Sequence, residues 1–255
     1  MNLPGEVKVI LDEEFDSIIW RIEIDSEHQL IAVETRDAGN HQAAISVFNY
    51  ADGKCFFKEL SIENNWQLHL DRVYKDLVLL YAYVSDASPE HKGITAIDIN
   101  TGKLRFQNFA FALSDVSSEG LIVYNPLLQS RKPLMLDFAF GIPVPGFSDD
   151  YKPVDRDISF PEILKPNINK RGYLPENILG PIHFAEVGET GIFSYHTQEN
   201  QAFSQHLVFV RDNRIIKEQI LAAGIQKLNP EAFFISGRFV YAVNGDNRKI
   251  AVFLI

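Results

Sequence analysis

Trp20-Arg21-Ile22-Glu23-Ile24-Asp25 and Trp66-Gln67-Leu68-His69-Leu70-Asp71 share the pattern Trp-x-(Ile/Leu)-x-(Ile/Leu)-Asp. Each is followed further along by a Gly-Lys turn, Asp52-Gly53-Lys54 after the first and Thr101-Gly102-Lys103 after the second. A repeat of about 46 to 49 residues built from short strands points to β-propeller blades. The pattern speaks to architecture and names no chemistry.

Working outward, alternation and turn residues resolve four strands in each of these units. The first unit, 20–65, reads as strands over 20–25, 30–35, 43–50 and 54–62, the last two joined as a hairpin at Ala51-Asp52-Gly53. The second, 66–113, reads as 66–73, 77–84, 94–99 and 103–111. A fainter third unit, 114–160, has strands at 120–125 and 133–140, and Asp137-x-x-x-Gly141 repeats the spacing of Asp98-x-x-x-Gly102 and Asn49-x-x-x-Gly53. Residues 143–181 hold seven of the twelve prolines. Proline removes a ladder donor and restricts its neighbour, so this span reads as loop or edge structure, supplying the outer strand of the third blade and then crossing to the fourth.

Periodicity resumes in a fourth unit, 182–221, with strands at 182–187, 191–196, 207–211 and 215–220. The last unit, 225–255, has strands at 232–235, 238–243 and 249–255 and lacks a fourth. Its apolar end, Ala251-Val252-Phe253-Leu254-Ile255, would be an aggregation-prone edge if left bare. Residues 7–15 have no partner of their own, so they are expected to pair there and close the ring. The expectation is an all-β chain, a single β-propeller domain over 1–255 with five four-stranded blades, or six if 143–181 carries strands of its own. An open or two-sheet β-structure is the alternative.

The chain has 255 residues, 46% hydrophobic and 23% charged, an ordinary globular composition. A net charge of −10 argues against binding nucleic acid or anionic membranes. The single cysteine, Cys55, excludes an internal disulfide and reads as a strand residue just after a turn. No leader pattern and no apolar run of about 18 residues is visible. These features lead to the expectation of a cytoplasmic monomer.

Gly93-Ile94-Thr95-Ala96-Ile97-Asp98-Ile99-Asn100-Thr101-Gly102-Lys103-Leu104-Arg105-Phe106 resembles the repeat of quinoprotein-like (PQQ-type) propellers, Ala-x-Asp-x-x-Thr-Gly-x-x-x-Trp, with Phe106 in the Trp position. Val47 to Phe57 is similar to it more weakly. The whole chain also looks like an uncharacterised bacterial propeller-like family. The resemblance implies a blade type and no particular activity. In local terms, Asp98 can accept hydrogen bonds from the turn backbone, Gly102 supplies a positive φ, and the aromatic residue four positions on packs against the neighbouring blade.

No nucleophile elbow, phosphate loop or dinucleotide fingerprint is present. His183 and Glu186 would point to opposite faces of a strand. Asp98-x-Asn100-x-Gly102 imitates the start of a calcium loop, but position twelve is Phe109 rather than an acid. No catalytic residue, metal or cofactor is therefore assigned. Polar loops between second and third strands carry Arg36, Asp37 and His41, then His91, then Arg131, and His196 at a strand end. In a propeller these would gather on one face, where Trp20 and Trp66 begin their blades' first strands, as packing anchors or as a stacking platform. The functional expectation is a non-catalytic binding scaffold for a protein or small ligand. A propeller hydrolase or lyase is the alternative, and a quinone-dependent dehydrogenase a remote one.

Overall fold

A computed structural model describes residues 6–61, 65–85, 87–164, 174–199, 201–229, 233–244 and 246–255. The chain divides into two compact units, residues 1–18 with 157–255, and residues 19–156. Among the described residues no helix is long and apolar enough to cross a membrane.

The chain opens with β1 (Lys8–Glu14), whose partner lies at the other end of the sequence. Residues 19–156 then form three antiparallel sheets. The first runs β2 (Ile18–Asp25), β3 (Leu30–Asp37), β4 (Gln42–Asn49) and β5 (Cys55–Ser61) in spatial order. The second runs β6 (His69–Tyr74), β7 (Leu77–Ser85), β8 (Ser88–Asp98) and β9 (Leu104–Asn108). The third has β10 (Ala112–Val116), β11 (Leu121–Tyr124) and β12 (Leu134–Leu136).

One turn chemistry recurs through these sheets. Asn49 Oδ1 accepts from the Ala51 amide at 2.9 Å, while the Gly53 amide returns to the Asn49 carbonyl at 2.9 Å. Asp98 does the same with Thr101 at 2.9 Å and Gly102 at 2.8 Å. Asp137 does so with Ala139 and Phe140, at 2.8 and 2.7 Å, and with Gly141 at 3.2 Å. The three glycines have φ of 75°, 66° and 64°, in the left-handed region that disfavours a Cβ. Four residues beyond the first two glycines stand Phe57 and Phe106, and each turns onto the next sheet. Phe57 packs with Leu70, Val73, Val78 and Leu80, and Phe106 with Leu113, Val116, Leu121 and Val123. Period-two alternation sends Val78 and Leu80 of β7 to the first sheet and Leu77 and Leu79 to the third.

The other unit holds a five-stranded meander: β13 (Glu162–Leu164), β14 (Ile178–Val187), β15 (Thr190–Glu199), β16 (Ala202–Arg211) and β17 (Arg214–Ile225). It also holds β18 (Phe234–Ser236), β19 (Phe239–Val243) and β20 (Lys249–Leu254), in the order β1-β20-β19-β18. β1 runs antiparallel to β20 from the pair Lys8 and Leu254 to the pair Glu14 and Lys249. Val7 joins a core with Val240, Phe253 and Leu207. The uncovered apolar end is thus capped by the N-terminal strand, as its sequence required.

Five sheets match the five units read from sequence, but the strands are not shared out evenly. The third sheet has three strands and the fourth has five. Among its described residues, the proline-rich span supplies no regular outer strand to the third sheet. Pro143 makes only an isolated bridge to Leu136, and Pro143 and Pro145 lack the amides a ladder needs. Further on, the span gives β13 to the fourth sheet. The six-blade alternative falls partly on 165–173, which lie outside the described residues.

The two tryptophan phrases are not structural equivalents. Trp20 is inside β2, whereas Trp66 lies in a 3₁₀ turn, Asn65–Gln67, ahead of β6. The true correspondence is in the hairpins, where Leu30 pairs with Asn49 and Leu77 with Asp98. Asp25 accepts from the Glu27 and His28 amides at 3.0 and 3.1 Å and closes a turn, while Asp71 sits mid-strand in β6.

Candidate functional site

Arg36, expected in a solvated loop, is a buried residue of β3, 8% exposed. Alternation places Leu30, Ala32, Glu34 and Arg36 on one face of the strand, and Leu30 and Ala32 pack there against the second sheet. Arg36 pairs with the fully buried Glu34. It donates to the Trp66 carbonyl at 2.9 Å, the Leu68 carbonyl at 2.6 Å and His69 Nδ1 at 2.9 Å. The other Glu34 oxygen accepts from the Leu70 amide at 2.7 Å. This pair holds the connector that leads into β6.

The Arg36 guanidinium lies 4.9 Å from the Trp66 ring centre and 6.0 Å from that of Trp20. His41 meets Trp66 edge-on at 5.2 Å. Trp20, Arg36, His41 and Trp66 therefore do come together, with Trp20 63% exposed. Asp37 holds the neighbouring turn, accepting from the Gly39 and Asn40 amides at 2.9 and 3.1 Å.

His91 is also a strand residue, because β7 and β8 continue beyond their expected ends to the pair Ser85 and Ser88. Arg131 is exposed, paired with Glu90 and set 5.0 Å from the Tyr124 ring. His196 belongs to the other unit, within β15, and is 2% exposed. β15 and β16 extend past their predicted ends and enclose it. Its Nε2 accepts from the Asn229 amide at 3.2 Å, and burial, with the charges of His183 and His206, lowers its pKa.

A second polar grouping within residues 19–156 lies beside His91. Register sets His69 opposite Tyr81 and Tyr83 opposite His91. His69 stacks on Tyr81 at 5.2 Å, and Tyr81 on His91 at 3.5 Å. Tyr83 stands edge-on to both histidines, and Tyr81 donates its hydroxyl to that of Tyr83 at 3.1 Å. Burial, then the charges of Arg36, His91 and Arg21, push His69 down to about 4. Burial and Arg21 lower His91 as well, so both rings favour the neutral form.

Arg21 bridges outward from this stack. It donates to Glu23 Oε1 at 2.9 Å and to the Asp71 carbonyl at 3.4 Å. The Asp71 carboxyl is pushed up to about 6, chiefly by burial, with Glu23 adding and Arg21, Arg72 and Arg156 opposing. Its Oδ2 lies 3.9 Å from His91 Nδ1. Glu23 Oε2 lies 3.6 Å from Arg156 Nη1, and Arg72 reaches Asp115 at 3.3 Å. Three buried atoms here have no hydrogen-bond partner: Glu23 Oε2, Asp71 Oδ2 and Arg72 Nε. Leaving such groups unsatisfied costs about 1–3 kcal/mol each. Asp71 and His91 also form a carboxyl–imidazole pair with acid–base capacity. Among the described residues no cluster of three or more His, Cys, Asp or Glu is placed to hold a metal ion.

Arg21, Glu23, His69, Asp71, Tyr81 and Tyr83 were not singled out from sequence. Their signal is period two: Arg21-x-Glu23, His69-x-Asp71 and Tyr81-x-Tyr83 each set two polar or aromatic groups on one strand face.

Among solved structures the chain is similar to an acylaminoacyl peptidase of Pyrococcus horikoshii, at 9% identity and a TM-score of 0.32, over 89% of this chain and 35% of that one. It is also similar to a structure from a mechanistic study of two prolyl endopeptidases, at 10% identity and a TM-score of 0.33, over 94% of this chain and 50% of that one. The chain thus spans between a third and a half of the length of these peptidase chains. No curated protein matches it. The family model that matches is that of a domain of unknown function, DUF4905, over residues 24–106.

Proposed function

We propose that this chain is a ligand-recognition module that takes a small polar molecule over Arg21, Glu23 and Asp71, beside the His69–Tyr81–His91 stack. The frame of this reading is one five-bladed propeller closed by β1, in which Trp20 and the neighbouring loops rim the site. The observation that carries it is the gathering of buried atoms without a hydrogen-bond partner on Glu23, Asp71 and Arg72. Both Glu34 oxygens accept hydrogen bonds, whereas Glu23 Oε2 and Asp71 Oδ2 have only longer charge contacts, to Arg156 at 3.6 Å and His91 at 3.9 Å. The Thr-Gly repeat serves the blade turns in this reading and implies no quinone.

A thermal-shift screen of small polar metabolites tests it, run on wild type, Asp71→Asn and Arg21→Gln. The expected result is a compound that stabilises the wild type and binds both variants at least tenfold more weakly. Compounds that bind all three alike would place the site elsewhere. A second reading, a hydrolase or lyase, is favoured by the Asp71 carboxyl, which burial holds up at about 6 and which lies 3.9 Å from the His91 ring. It predicts turnover that Asp71→Asn abolishes.

A further inference from the structure

We propose that the ligand of the Arg21–Glu23–Asp71 site is a neutral saccharide ring, a proposal that rests on the binding reading above. The three guanidinium groups of Arg21, Arg72 and Arg156 face the three carboxyl groups of Glu23, Asp71 and Asp115. The locus is balanced in charge, so neither a cation nor an anion is drawn in by net field. Glu23 Oε2 and Asp71 Oδ2 accept only, and Arg72 Nε donates only. The partner that meets all three must both donate and accept, which is what adjacent hydroxyl groups do. An ammonium group would leave Arg72 Nε unmet, and a carboxylate or phosphate would oppose Glu23.

The wall of the site supplies the other half of sugar recognition. Tyr83, 38% exposed, flanks the stack edge-on, and His91, whose side chain is 31% exposed, ends it. Aromatic faces with a polar tip suit the C–H face of a pyranose whose hydroxyls point to carboxylates. The Glu23 side chain, 5% exposed, is fixed by Arg21, so the acceptor is preorganised rather than mobile.

The test is ligand-observed NMR with calorimetry, using methyl glycosides of glucose, galactose, mannose and xylose together with maltose and cellobiose. Putrescine and citrate serve as cationic and anionic comparators. The variants are Glu23→Gln, Asp71→Asn and, at an exposed position that leaves the core intact, Tyr83→Ala. At least one glycoside is expected to bind the wild type, with affinity reduced tenfold or more in Asp71→Asn and severalfold in Tyr83→Ala. Binding of putrescine or citrate, but no glycoside, in a manner that depends on Asp71 would overturn the saccharide and leave the site standing. Glycoside binding that is unchanged in Asp71→Asn and Tyr83→Ala, or no probe binding that depends on Asp71, would overturn both.

Discussion

Arg36 and Asp71 are two largely buried charges that differ in how fully they are satisfied. Each Arg36 nitrogen has at least one acceptor, and removing the side chain would strand the buried Glu34 carboxylate. Arg36→Ala is therefore expected to cost about 3–5 kcal/mol in urea unfolding, while the exposed His41→Ala stays within about 0.5 kcal/mol. Similar costs for the two would contradict the latch. The pH response separates Asp71 from His69. His69 titrates near 4 in the folded chain and near 6.5 when unfolded, so its neutral, Arg36-bonded form contributes stability above 6.5 that is lost as pH falls toward 4. Asp71 runs the other way. With a folded value near 6 against an ordinary 3.8, it costs nothing at low pH and destabilises as pH rises through 6. Asp71→Asn should thus gain on the wild type by on the order of 2 kcal/mol between pH 4 and pH 8. His69→Asn should flatten the loss of melting temperature between pH 6.5 and pH 4. A gain for Asp71→Asn that is equal at both pH values would mean that the carboxyl is solvated. At this scale the sequence showed Trp20, Arg36, His41 and Trp66 as a group and hid the rest. A charged residue's partners depend on which strands become neighbours, and Arg21 meets Asp71 only through folding.

Hairpin turns were legible because their chemistry is local: an Asx side chain, then a glycine in the left-handed region, within five residues. Strand register was not. The bulge between Leu70 and Arg72 sets His69 opposite Tyr81, that between Leu80 and Ala82 bears on the pairing of Tyr83 with His91, and no local residue type announces either. Strand length was underestimated for the same reason. His91 and His196 are polar enough to read as a loop and a strand end, yet ladders extend through both. The third sheet offers a clean test of the turn argument. Gly141 and Gly146 have φ of 64° and 74°, so alanine is strained at either. They differ in space. A Cβ at Gly141 would lie 2.3 Å from the Phe106 ring, while one at Gly146 meets nothing within 4 Å. Gly146→Ala should cost about 1 kcal/mol and Gly141→Ala about 2–4 kcal/mol, since Phe106 is held in the core of the second and third sheets. Combining Gly141→Ala with Phe106→Leu should recover part of that difference. No recovery would mean that the turn, rather than the ring, sets the cost.

At the scale of the molecule, the proposal of one closed ring turns on a single antiparallel pairing. Lys8 stands beside Leu254, so the ends of β1 and β20 are neighbours and a linker of about four residues can join them. A circular permutant that links Ile255 to Val7 and opens the chain at Asp16–Ser17 keeps every strand pair described here. It converts the β1–β20 contact from a closure between distant parts of the chain into a simple hairpin. It also removes the covalent step from β1 to β2. In a closed ring, each sheet is supported on both sides, and unfolding by calorimetry should show one transition in the wild type. The permutant should fold, because its pairing is intact and more local, and local contacts are entropically cheaper to form. If chain continuity between β1 and β2 couples the two units, the permutant's single transition should split into two, one for 19–156 and one for the rest. A wild type that already melts in two steps would count against one ring. Deleting residues 1–14 gives the complementary result: Val7 and Leu11 leave the core, and the edge of β20 is bared, so the expected outcome is aggregation. A soluble deletion product with an unchanged melting temperature would show that β1 is an appendage.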